Sequence, residues 1–455
     1  MMHHLIESGC LNSTFWFVLA IALALLLQRR WERHRLLSVV IALLLSIGTL
    51  ANLGLALYRA YTVPRDVLQD IVSAQEYLEG RPLYPSDMTA RINGALEREG
   101  PRPSLLERWP ELRKREQEHL RDALTSHWVQ AHPPFMTLFT APFVKYFGIL
   151  GTQIAFVLIA LLGFSLTIWM IRRELFPTLP RLTTFIIVVA LLGWDPILTI
   201  LRAGQSEMLL GCLLTTSWFL LRHERPGAAG IAAGVAICLK LIPGLILVVL
   251  LMRHRRAFVS ALGTIATIAL FSLAMTSWSD HVDYYHTSRG VVDQYAAYSG
   301  NISLLGTLAR STRDLSFTLD MARGLWLVCG GLIVLAFAWR MRWPTTGPTN
   351  FDLDFALSMT LMPLLSPVSW DHYFGFLILP LGVLASKMTP RNSWPSYFGL
   401  WLLFAVPQTT YDWLFALCNE AGLRDVGLWF VLSVRMACLG ALVMFLKRTS
   451  RSDVP

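Results

Sequence analysis

The sequence predicts an all-α polytopic membrane protein, and its composition and its apolar runs both support that prediction. The chain has 455 residues, of which 54% are hydrophobic and only 15% are charged. Soluble domains average about 45–50% apolar and about 25% charged residues. Because a helix needs about 20 apolar residues to cross a bilayer, this composition excludes a disordered chain and argues against an ordinary soluble enzyme.

The apolar residues are gathered in long runs that account for most of the chain. The run at 226–252 contains Lys240 and Pro243 near its middle, which indicates two short helices that meet at Lys240. With that break we expect about 13 spans, in a range of about 11–14. The stretch Phe135–Phe147 is too short to span and is interpreted as a partial or re-entrant helix that follows Pro134. The runs are 13–28, 36–60, 150–171, 182–201, 205–221, 226–252, 257–277, 323–339, 353–367, 373–386, 395–407 and 426–446.

The charge pattern orients these spans. The net charge of +9 arises largely from Arg and Lys clusters beside the apolar runs, which is typical of cytoplasmic loops and gives no reason to expect nucleic acid as a partner. If these clusters are cytoplasmic, the N-terminus lies outside and the C-terminus inside. Residues 1–455 then form a single integral membrane domain of the cytoplasmic membrane. Two extracytoplasmic loops follow from this topology: a first loop with amphipathic helices at 61–135, and a second loop at 278–322.

The first loop contains two carboxylates that could carry chemistry. Residues 66–79 have apolar positions at helical spacing, with Asp66 as the expected N-cap and Gly80 just past the end. Asp66 and Asp70 are four residues apart and share a helix face. Either could act as a general base on a sugar hydroxyl or hold a cation. Alternatively, Asp66 is only a cap and Asp70 only a surface charge. The charged segment 104–124 is expected to be a solvated helix.

A second group of polar residues lies between two apolar runs, in the segment LLSPVSWDHYFGF. Trp370, Asp371 and His372 are costly to desolvate there, which makes them functional candidates. An interfacial aromatic belt would also place Trp370 at this level. His132 gives a weaker signal, because a lone histidine before a Pro-Pro turn is usually structural.

Lys240 lies within an otherwise apolar stretch, AICLKLIPG. Such a lysine needs a water-filled cavity, an acidic partner or an anionic ligand, unless it snorkels from the end of a short helix. Arg202, Arg289 and Arg310 could join it in a phosphate site, since arginine makes bidentate phosphate contacts and lysine acts as a point charge.

Motifs for other chemistries are absent from the sequence. It contains no P-loop, no GxGxxG before a helix, no HExxH and no GxSxG, so ATP-driven transport, Rossmann cofactors and zinc proteolysis lack support. The six cysteines show no metal-binding spacing. An enzyme that acts on the outer face without a nucleotide would need a lipid-borne activated donor.

Several segments together resemble the glycosyltransferase 87 family, whose members are C-type glycosyltransferases that use polyprenyl-phosphate sugars. The resemblance covers about residues 50–385 and implies the C-type fold with a large first extracytoplasmic loop. The segments are DVLQDIVSAQEYLEGRPLY (66–84), HPPF and APF (132–143), AGQSEMLLGCLL (203–214), AAGIAAGVAICLKLIPGLILVVLL (228–251), NISLLGTLAR (301–310) and LLSPVSWDHYFGFLILPL (364–381).

The resemblance, together with the polar residues described above, leads us to expect roles for individual residues. Asp66 matches the position of the catalytic base, with Asp70 as the reserve candidate, and His372 would position or polarise the reacting groups. Lys240, with Arg202 or Arg310, would neutralise the donor phosphate. The substrate-binding candidates are Gln205, Tyr84, His132, Trp370 and Asp371.

Two departures from the family pattern concern the acceptor. The first loop carries an extra charged section at about 85–128, and His132-Pro133-Pro134 stands where many members have Tyr-Pro-Pro.

The sequence therefore predicts a membrane glycosyltransferase. It would move one sugar, a mannose-like hexose or a pentose, from a polyprenyl-phosphate donor to a lipid or glycan acceptor on the extracytoplasmic face. No cofactor is firmly implied, and a divalent metal stays open. The alternative is a transporter or flippase for lipid-linked sugars or anionic solutes, and a third reading is a noncatalytic membrane scaffold. A transporter commonly shows inverted repeats and paired broken helices, whereas the sequence has one candidate break, at Lys240.

Overall fold

The computed structural model describes residues 35–62, 66–99, 128–298, 300–311, 318–342 and 348–386. All regular structure in these residues is helical, so the all-α prediction is confirmed for this part of the chain. The runs predicted at 13–28, 395–407 and 426–446, and the charged segment 104–124, lie outside the described residues.

The helices follow the predicted runs closely, with short 3-10 helices at Ile242–Leu245 and Asp371–Leu377. In chain order the α-helices are α1 (Arg35–Thr62), α2 (Val67–Leu78), α3 (Met88–Glu99), α4 (Pro134–Leu175), α5 (Arg181–Leu192), α6 (Asp195–Ala203), α7 (Glu207–Arg222), α8 (Pro226–Leu239), α9 (Ile246–Arg253), α10 (Arg255–Met275), α11 (Trp278–Tyr295), α12 (Leu304–Ser311), α13 (Leu319–Met341), α14 (Pro348–Leu365) and α15 (Ile378–Ser386).

Long apolar helices make this a membrane protein. Within the described ranges, α4, α10 and α13 are each long and apolar enough to cross a bilayer, and the bent pair α5–α6 raises the number from three to four. Only 11% of the apolar windows of α10 and α13 is buried inside the protein. Leu270 on α10 and Leu335 on α13 are among the apolar side chains left exposed. Such surfaces are suited to lipid rather than to water.

The predicted break at Lys240 is confirmed. Helix α8 ends at Leu239, and Lys240 has extended backbone angles (φ −155°, ψ 133°). The 3-10 helix Ile242–Leu245 and α9 then complete the run. Pro243 lacks the N–H that a continuous helix would need. Two short helices therefore meet where the lysine side chain leaves the backbone.

The structure divides the apolar run at 182–201 into two helices, α5 and α6, a break that the sequence did not lead us to expect. The two helices are bent by 56° at a short break. Trp194 adopts an extended conformation, and Pro196 occupies the start of α6, where a missing N–H costs nothing.

The short helix predicted after Pro134 is confirmed, although it joins its neighbour. Helix α4 begins at Pro134 and runs to Leu175, with a non-helical residue at Gly148 (φ +66°, ψ −169°). Glycine accepts that conformation at little steric cost. The apolar stretch at 135–147 is thus a separate helical segment ahead of the spanning one.

Helix α7 lies in the core of the described bundle and packs against α4, α8 and the 3-10 helix Asp371–Leu377. A Cβ on Gly163 of α4 would lie 2.9 Å from the carbonyl oxygen of Met208, so the two backbones touch directly. Small residues permit such close approach between membrane helices. Helix α7 therefore presents a fixed charged residue at each end, Glu207 at its start and Arg222 at its end.

Candidate active site

Asp66 lies at the start of α2, but its side chain does not cap that helix. The N-cap position is correct, yet no cap hydrogen bond forms from the Asp66 carboxylate. Instead, its Oδ2 atom accepts a 2.6 Å hydrogen bond from Nε2 of Gln205. The expected capping role was therefore wrong, because the GQ turn supplies a nearer donor.

The GQ turn reaches Asp66 because Gly204 allows two segments to touch. Gly204 has φ +68°, and a Cβ at this position would lie 2.8 Å from Cβ of Val67. A side chain would be strained in that conformation and would collide with the first residue of α2. The glycine thus lets the turn after α6 hold the start of α2.

Asp70 is a buried carboxylate with two donors. It is 3% exposed, which rules out the surface-charge alternative. Its Oδ1 atom accepts a 3.1 Å hydrogen bond from Nε2 of Gln130 and lies 2.8 Å from Nδ1 of His132. A buried carboxylate needs such partners to offset its lost hydration. Asp70 therefore holds His132 in a fixed orientation.

Tyr84 connects the first loop to the second. Its hydroxyl donates a 2.7 Å hydrogen bond to the carbonyl oxygen of His132, and its ring centroid lies 5.9 Å from that of Tyr284 on α11. Burial raises the pKa of Tyr84 well above its usual value and that of Tyr284 to about 12, so both hydroxyls stay protonated at neutral pH. The adjacent Leu83 N–H donates to Asp280 at 3.1 Å.

Lys240 has an acidic partner that the sequence analysis missed. Its Nζ atom lies 2.5 Å from Oε1 of Glu207 and 4.7 Å from the ring centroid of Tyr373. Lys240 is 8% exposed and Glu207 is 0% exposed, so the lysine does not snorkel. The signal available in the sequence was an acid in the first turn of an apolar helix, within the segment AGQSEMLL.

His372 completes this buried group. Its Nε2 atom lies 3.6 Å from Oε1 of Glu207, and its ring centroid lies 4.9 Å from that of Tyr373. Within the described part of the chain, neither Nε2 of His372 nor Oε2 of Glu207 has a hydrogen-bond partner. The ammonium, carboxylate and imidazole of these residues form what we call the Glu207 cluster: Glu207, Lys240 and His372.

Asn301 positions the segment that carries His372. Its Oδ1 atom accepts a 3.0 Å hydrogen bond from the N–H of Ser369, and its Nδ2 atom donates to the carbonyl of Pro367 at 3.2 Å. Asn301 lies in the segment NISLLGTLAR, which resembles the family, but no role was predicted for this residue. An asparagine side chain can both donate and accept hydrogen bonds, but its burial between two loops is visible only in the structure.

Trp370 and Asp371 make local contacts around that segment. The Trp370 ring packs against Tyr295 at 5.4 Å and Tyr298 at 5.6 Å between centroids, both in the second loop. Asp371 accepts a 3.0 Å hydrogen bond from the N–H of His372. The two residues therefore anchor the histidine, and their predicted substrate contacts stay predictions.

The three candidate phosphate ligands, Lys240, Arg202 and Arg310, have different partners in the structure. Arg202 donates from Nη2 to Asp195 at 3.2 Å and to Thr199 at 2.7 Å, so α6 engages it locally. Arg310 is 8% exposed and donates from Nη1 to the carbonyl of Tyr298 at 2.6 Å. Its Nε and Nη2 atoms have no partner among the described residues. Burial lowers the pKa of Arg310 to about 9.

The charged and polar groups of this site favour an anionic, hydroxyl-bearing ligand. In the part of the chain that the structure describes, no three His, Cys, Asp or Glu side chains are grouped in a way that could hold a metal ion. The Glu207 cluster offers one carboxylate beside an ammonium and an imidazole, which is a poor donor set for a divalent cation. These residues therefore give no support for a divalent metal ion in the site.

The fold and site define a helical membrane protein with carboxylates and cations buried at the meeting point of two loops and a broken helix. The model of glycosyltransferase family 87 matches residues 130–367, just over half of the chain. The chain belongs to this family. Asp66, Asp70 and Tyr84 precede the matched residues, so their assignment depends on the contacts described above.

Two curated relatives share the description polyprenol-phosphate-mannose-dependent alpha-(1-2)-phosphatidylinositol mannoside mannosyltransferase. The protein of Mycolicibacterium smegmatis is 25% identical over 58% of this chain and 63% of the relative. The protein of Mycobacterium tuberculosis is 30% identical over 45% of this chain and 47% of the relative. The matches span less than two thirds of either relative. A solved structure, ArnT from Cupriavidus metallidurans bound to undecaprenyl phosphate, is similar with a TM-score of 0.33 and 15% identity over 91% of this chain and 77% of ArnT.

Proposed function

We propose that the protein transfers one sugar, a mannose-like hexose, from a polyprenyl-phosphate donor to a lipid or glycan acceptor on the extracytoplasmic face of the cytoplasmic membrane. Membership of glycosyltransferase family 87 supports the reaction type. The descriptions of the two relatives support mannose and the polyprenyl-phosphate donor. The observation that carries the proposal is the Gln205–Asp66 hydrogen bond, because it holds the Asp66 carboxylate against the turn that leads into α7, where Gln205 lies two residues before Glu207 in the chain.

In this reaction Asp66 is the general base. Its carboxylate takes the proton of the acceptor hydroxyl as that oxygen bonds to the anomeric carbon of the sugar. The bond from the anomeric carbon to the phosphate oxygen breaks, and its electron pair leaves with the polyprenyl phosphate. Asp66 suits this role better than Asp70, because Asp66 is partly exposed and has one donor, Gln205, whereas Asp70 is buried and has two partners, Gln130 and His132.

Cations would stabilise the negative charge that grows on the leaving phosphate. Arg310 has two guanidinium nitrogens without partners among the described residues, and guanidinium groups match phosphate geometry. Lys240 supplies a second positive charge, partly offset by Glu207. Arg202 is the weaker candidate because Asp195 and Thr199 already engage it.

The outward orientation rests on the distribution of basic residues. Arg172, Arg222 and Arg253 lie in the last turns of α4, α7 and α9, and the charge rule assigns these helix ends to the cytoplasm. The first loop, which contains Asp66, and the second loop, which contacts Trp370 through Tyr295 and Tyr298, are assigned by the same rule to the opposite side. A sugar donor flipped across the membrane would reach the site from there.

A transfer assay with the full-length protein in lipid nanodiscs tests the proposal. Polyprenyl-phosphate mannose is the donor, and mass spectrometry follows the mannosylated acceptor. We expect Asp66→Asn to lower kcat by about 10³-fold, since an amide cannot accept the proton, and Asp70→Asn to lower it by about tenfold through His132. Asp87→Asn is the matched control, because Asp87 is an exposed acid of the same loop.

Two results would overturn the proposal, one from the transfer assay and one from protein reconstituted in vesicles. Full activity of folded Asp66→Asn and Asp70→Asn proteins would exclude the assigned base. In vesicles, translocation of the lipid-linked sugar without covalent transfer would instead support a carrier. Transfer from another polyprenyl-phosphate sugar, but not from the mannose donor, would keep the reaction type and replace the sugar.

A further inference from the structure

The Glu207 cluster contains two buried polar atoms that are left without a hydrogen-bond partner in the part of the chain that the structure describes. Oε2 of Glu207 and Nε2 of His372 are both buried and have no hydrogen-bond partner among the described residues. Glu207 uses its other oxygen for Lys240, and His372 remains 3.6 Å from that same oxygen. Buried polar groups are normally hydrogen-bonded. The cluster therefore holds spare hydrogen-bonding capacity beside a lysine.

Glu207 lies on a regular α-helix, whereas its two neighbours in the cluster do not. Glu207 occupies the first turn of α7, where the exposed N–H groups favour negative charge, and it is 0% exposed. Lys240 emerges from the break between α8 and the following 3-10 helix, and His372 lies in a separate 3-10 helix. The carboxylate thus joins three elements, two of which are not regular α-helix.

We propose that Glu207 is a positioning residue, an internal counter-ion that limits how tightly Lys240 holds the phosphate of the lipid carrier and that receives His372 when the phosphate is bound. This inference rests on the proposed glycosyltransferase function. Without a ligand, Glu207 neutralises the buried ammonium, whose burial alone would be costly. With a phosphate present, the ammonium is shared between two anions.

The consequence for catalysis is faster release of the spent carrier. The carboxylate of Glu207 competes with the dianionic phosphate for the Lys240 ammonium, and this competition offsets part of the attraction between Lys240 and the phosphate. As Lys240 turns toward the phosphate, it releases Oε1 of Glu207, which lies 3.6 Å from Nε2 of His372 and becomes the acceptor for the imidazole N–H. The same residue then orients the imidazole beside the reacting groups, although Glu207 itself touches neither sugar nor phosphate.

Binding of undecaprenyl phosphate to the nanodisc-embedded protein tests this role, together with donor kinetics. Glu207→Gln keeps the side-chain length and removes the charge. We expect it to bind undecaprenyl phosphate about fivefold more tightly, and to lower both KM for the donor and kcat, because product release slows. A purely structural role would raise KM or leave product affinity unchanged.

Two further variants separate the electrostatic role from general damage. Glu207→Asp draws the charge away from Lys240 but keeps it in α7, so binding should tighten about threefold, and this variant carries the test if Glu207→Gln fails to fold. Asp352→Asn is the matched control: it removes a buried acid at the opposite end of α7, where Arg222 is its partner. It should lower thermal stability and leave product affinity unchanged.

The outcomes distinguish this inference from the proposed function. If the wild-type protein binds undecaprenyl phosphate and transfers sugar, but folded Glu207 variants bind it with unchanged or weaker affinity, the counter-ion role is wrong and the proposed function stands. If the wild-type protein neither binds undecaprenyl phosphate nor transfers any sugar, the proposed function fails first. In a Lys240→Met background, we expect Glu207→Gln to change affinity by less than about twofold, and a larger change would contradict action through Lys240.

Discussion

The two ends of α7 both hold buried charges, but they differ in how completely those charges are paired. At the C-terminal end, Oδ1 of Asp352 accepts from the indole of Trp218 at 2.8 Å and Oδ2 accepts from Arg222 at 2.6 Å. At the N-terminal end, Glu207 pairs one oxygen with Lys240 and leaves the other without a partner among the described residues.

Asp354 extends the contrast at the C-terminal end. Its Oδ2 atom accepts from Arg253 at 2.7 Å, and its Oδ1 atom lies 3.3 Å from Arg340, so α9, α13 and α14 are tied together. Burial does not separate the two ends, since Asp354 is 1% exposed and Glu207 is 0% exposed. Saturation does. Paired oxygens indicate a structural tie, whereas a spare buried oxygen beside a lysine indicates a place where a ligand changes the pairing.

The largest expected effect comes from breaking the saturated end. Asp354→Asn removes the negative charge shared by Arg253 and Arg340, and we expect the protein to lose about 3–5 kcal/mol of stability, as when one partner of a buried ion pair is deleted. Thermal unfolding in detergent measures this loss. Specific transfer activity of the protein that remains folded should stay near the wild-type value. A large drop in kcat at unchanged stability would place chemistry at this end and erase the contrast.

At the other end, Gln205→Leu should act mainly on activity. It removes the donor that holds Asp66 while keeping a similar volume. We expect kcat to fall by about 10–100-fold, because a misplaced base loses catalytic alignment, with the donor KM nearly unchanged. Steady-state kinetics measure both. Gln75→Leu, on the same helix as Asp70, is the control and should keep its activity. A raised KM at unchanged kcat would mean that Gln205 binds substrate rather than positions Asp66.

Part of the fold could be predicted from the sequence alone. Apolar runs and their interruptions are local properties, so most helix bounds and the break at Lys240 follow from the order of residues. The bend between α5 and α6 was missed because the run is otherwise continuously apolar. The short segment Gly193-Trp194-Asp195-Pro196 within it did not stand out as a break.

Pairings between distant segments could not be derived in the same way. Lys240 was expected to need an acid, an anion or a cavity, but only the packing of α7 against the broken helix identifies Glu207. The role of Asn301 likewise depends on two loops that are 66 residues or more apart in the chain. Asp66 and Asp70 were named from their spacing, and their different partners became visible only in three dimensions.

A smaller effect is expected from Gly204→Ala, which loosens the contact between the GQ turn and α2. Gly204 has φ +68°, and the left-handed conformation costs about 1–2 kcal/mol for a residue with a Cβ. The new methyl group would also press against Val67. Thermal unfolding should show this loss, and kcat should fall with it. Gly80→Ala is the control, because Gly80 has φ +71° but no heavy atom within 4 Å of its Cβ position. It should lose stability alone, and equal losses of activity in both variants would contradict the contact.

The smallest expected effect comes from removing one uncharged hydrogen bond, and it tests the contrast between the two ends of α7. Tyr84→Phe deletes the hydroxyl that donates to the carbonyl of His132, which should cost about 0.5–1.5 kcal/mol of stability. Because His132 also contacts Asp70, we expect kcat to fall about threefold as well. Tyr146→Phe, at a tyrosine that is 73% exposed, should change neither quantity. If Tyr84→Phe lowers stability but leaves every kinetic constant unchanged, then His132 and Asp70 belong with the saturated, structural type of cluster that α7 carries at its other end.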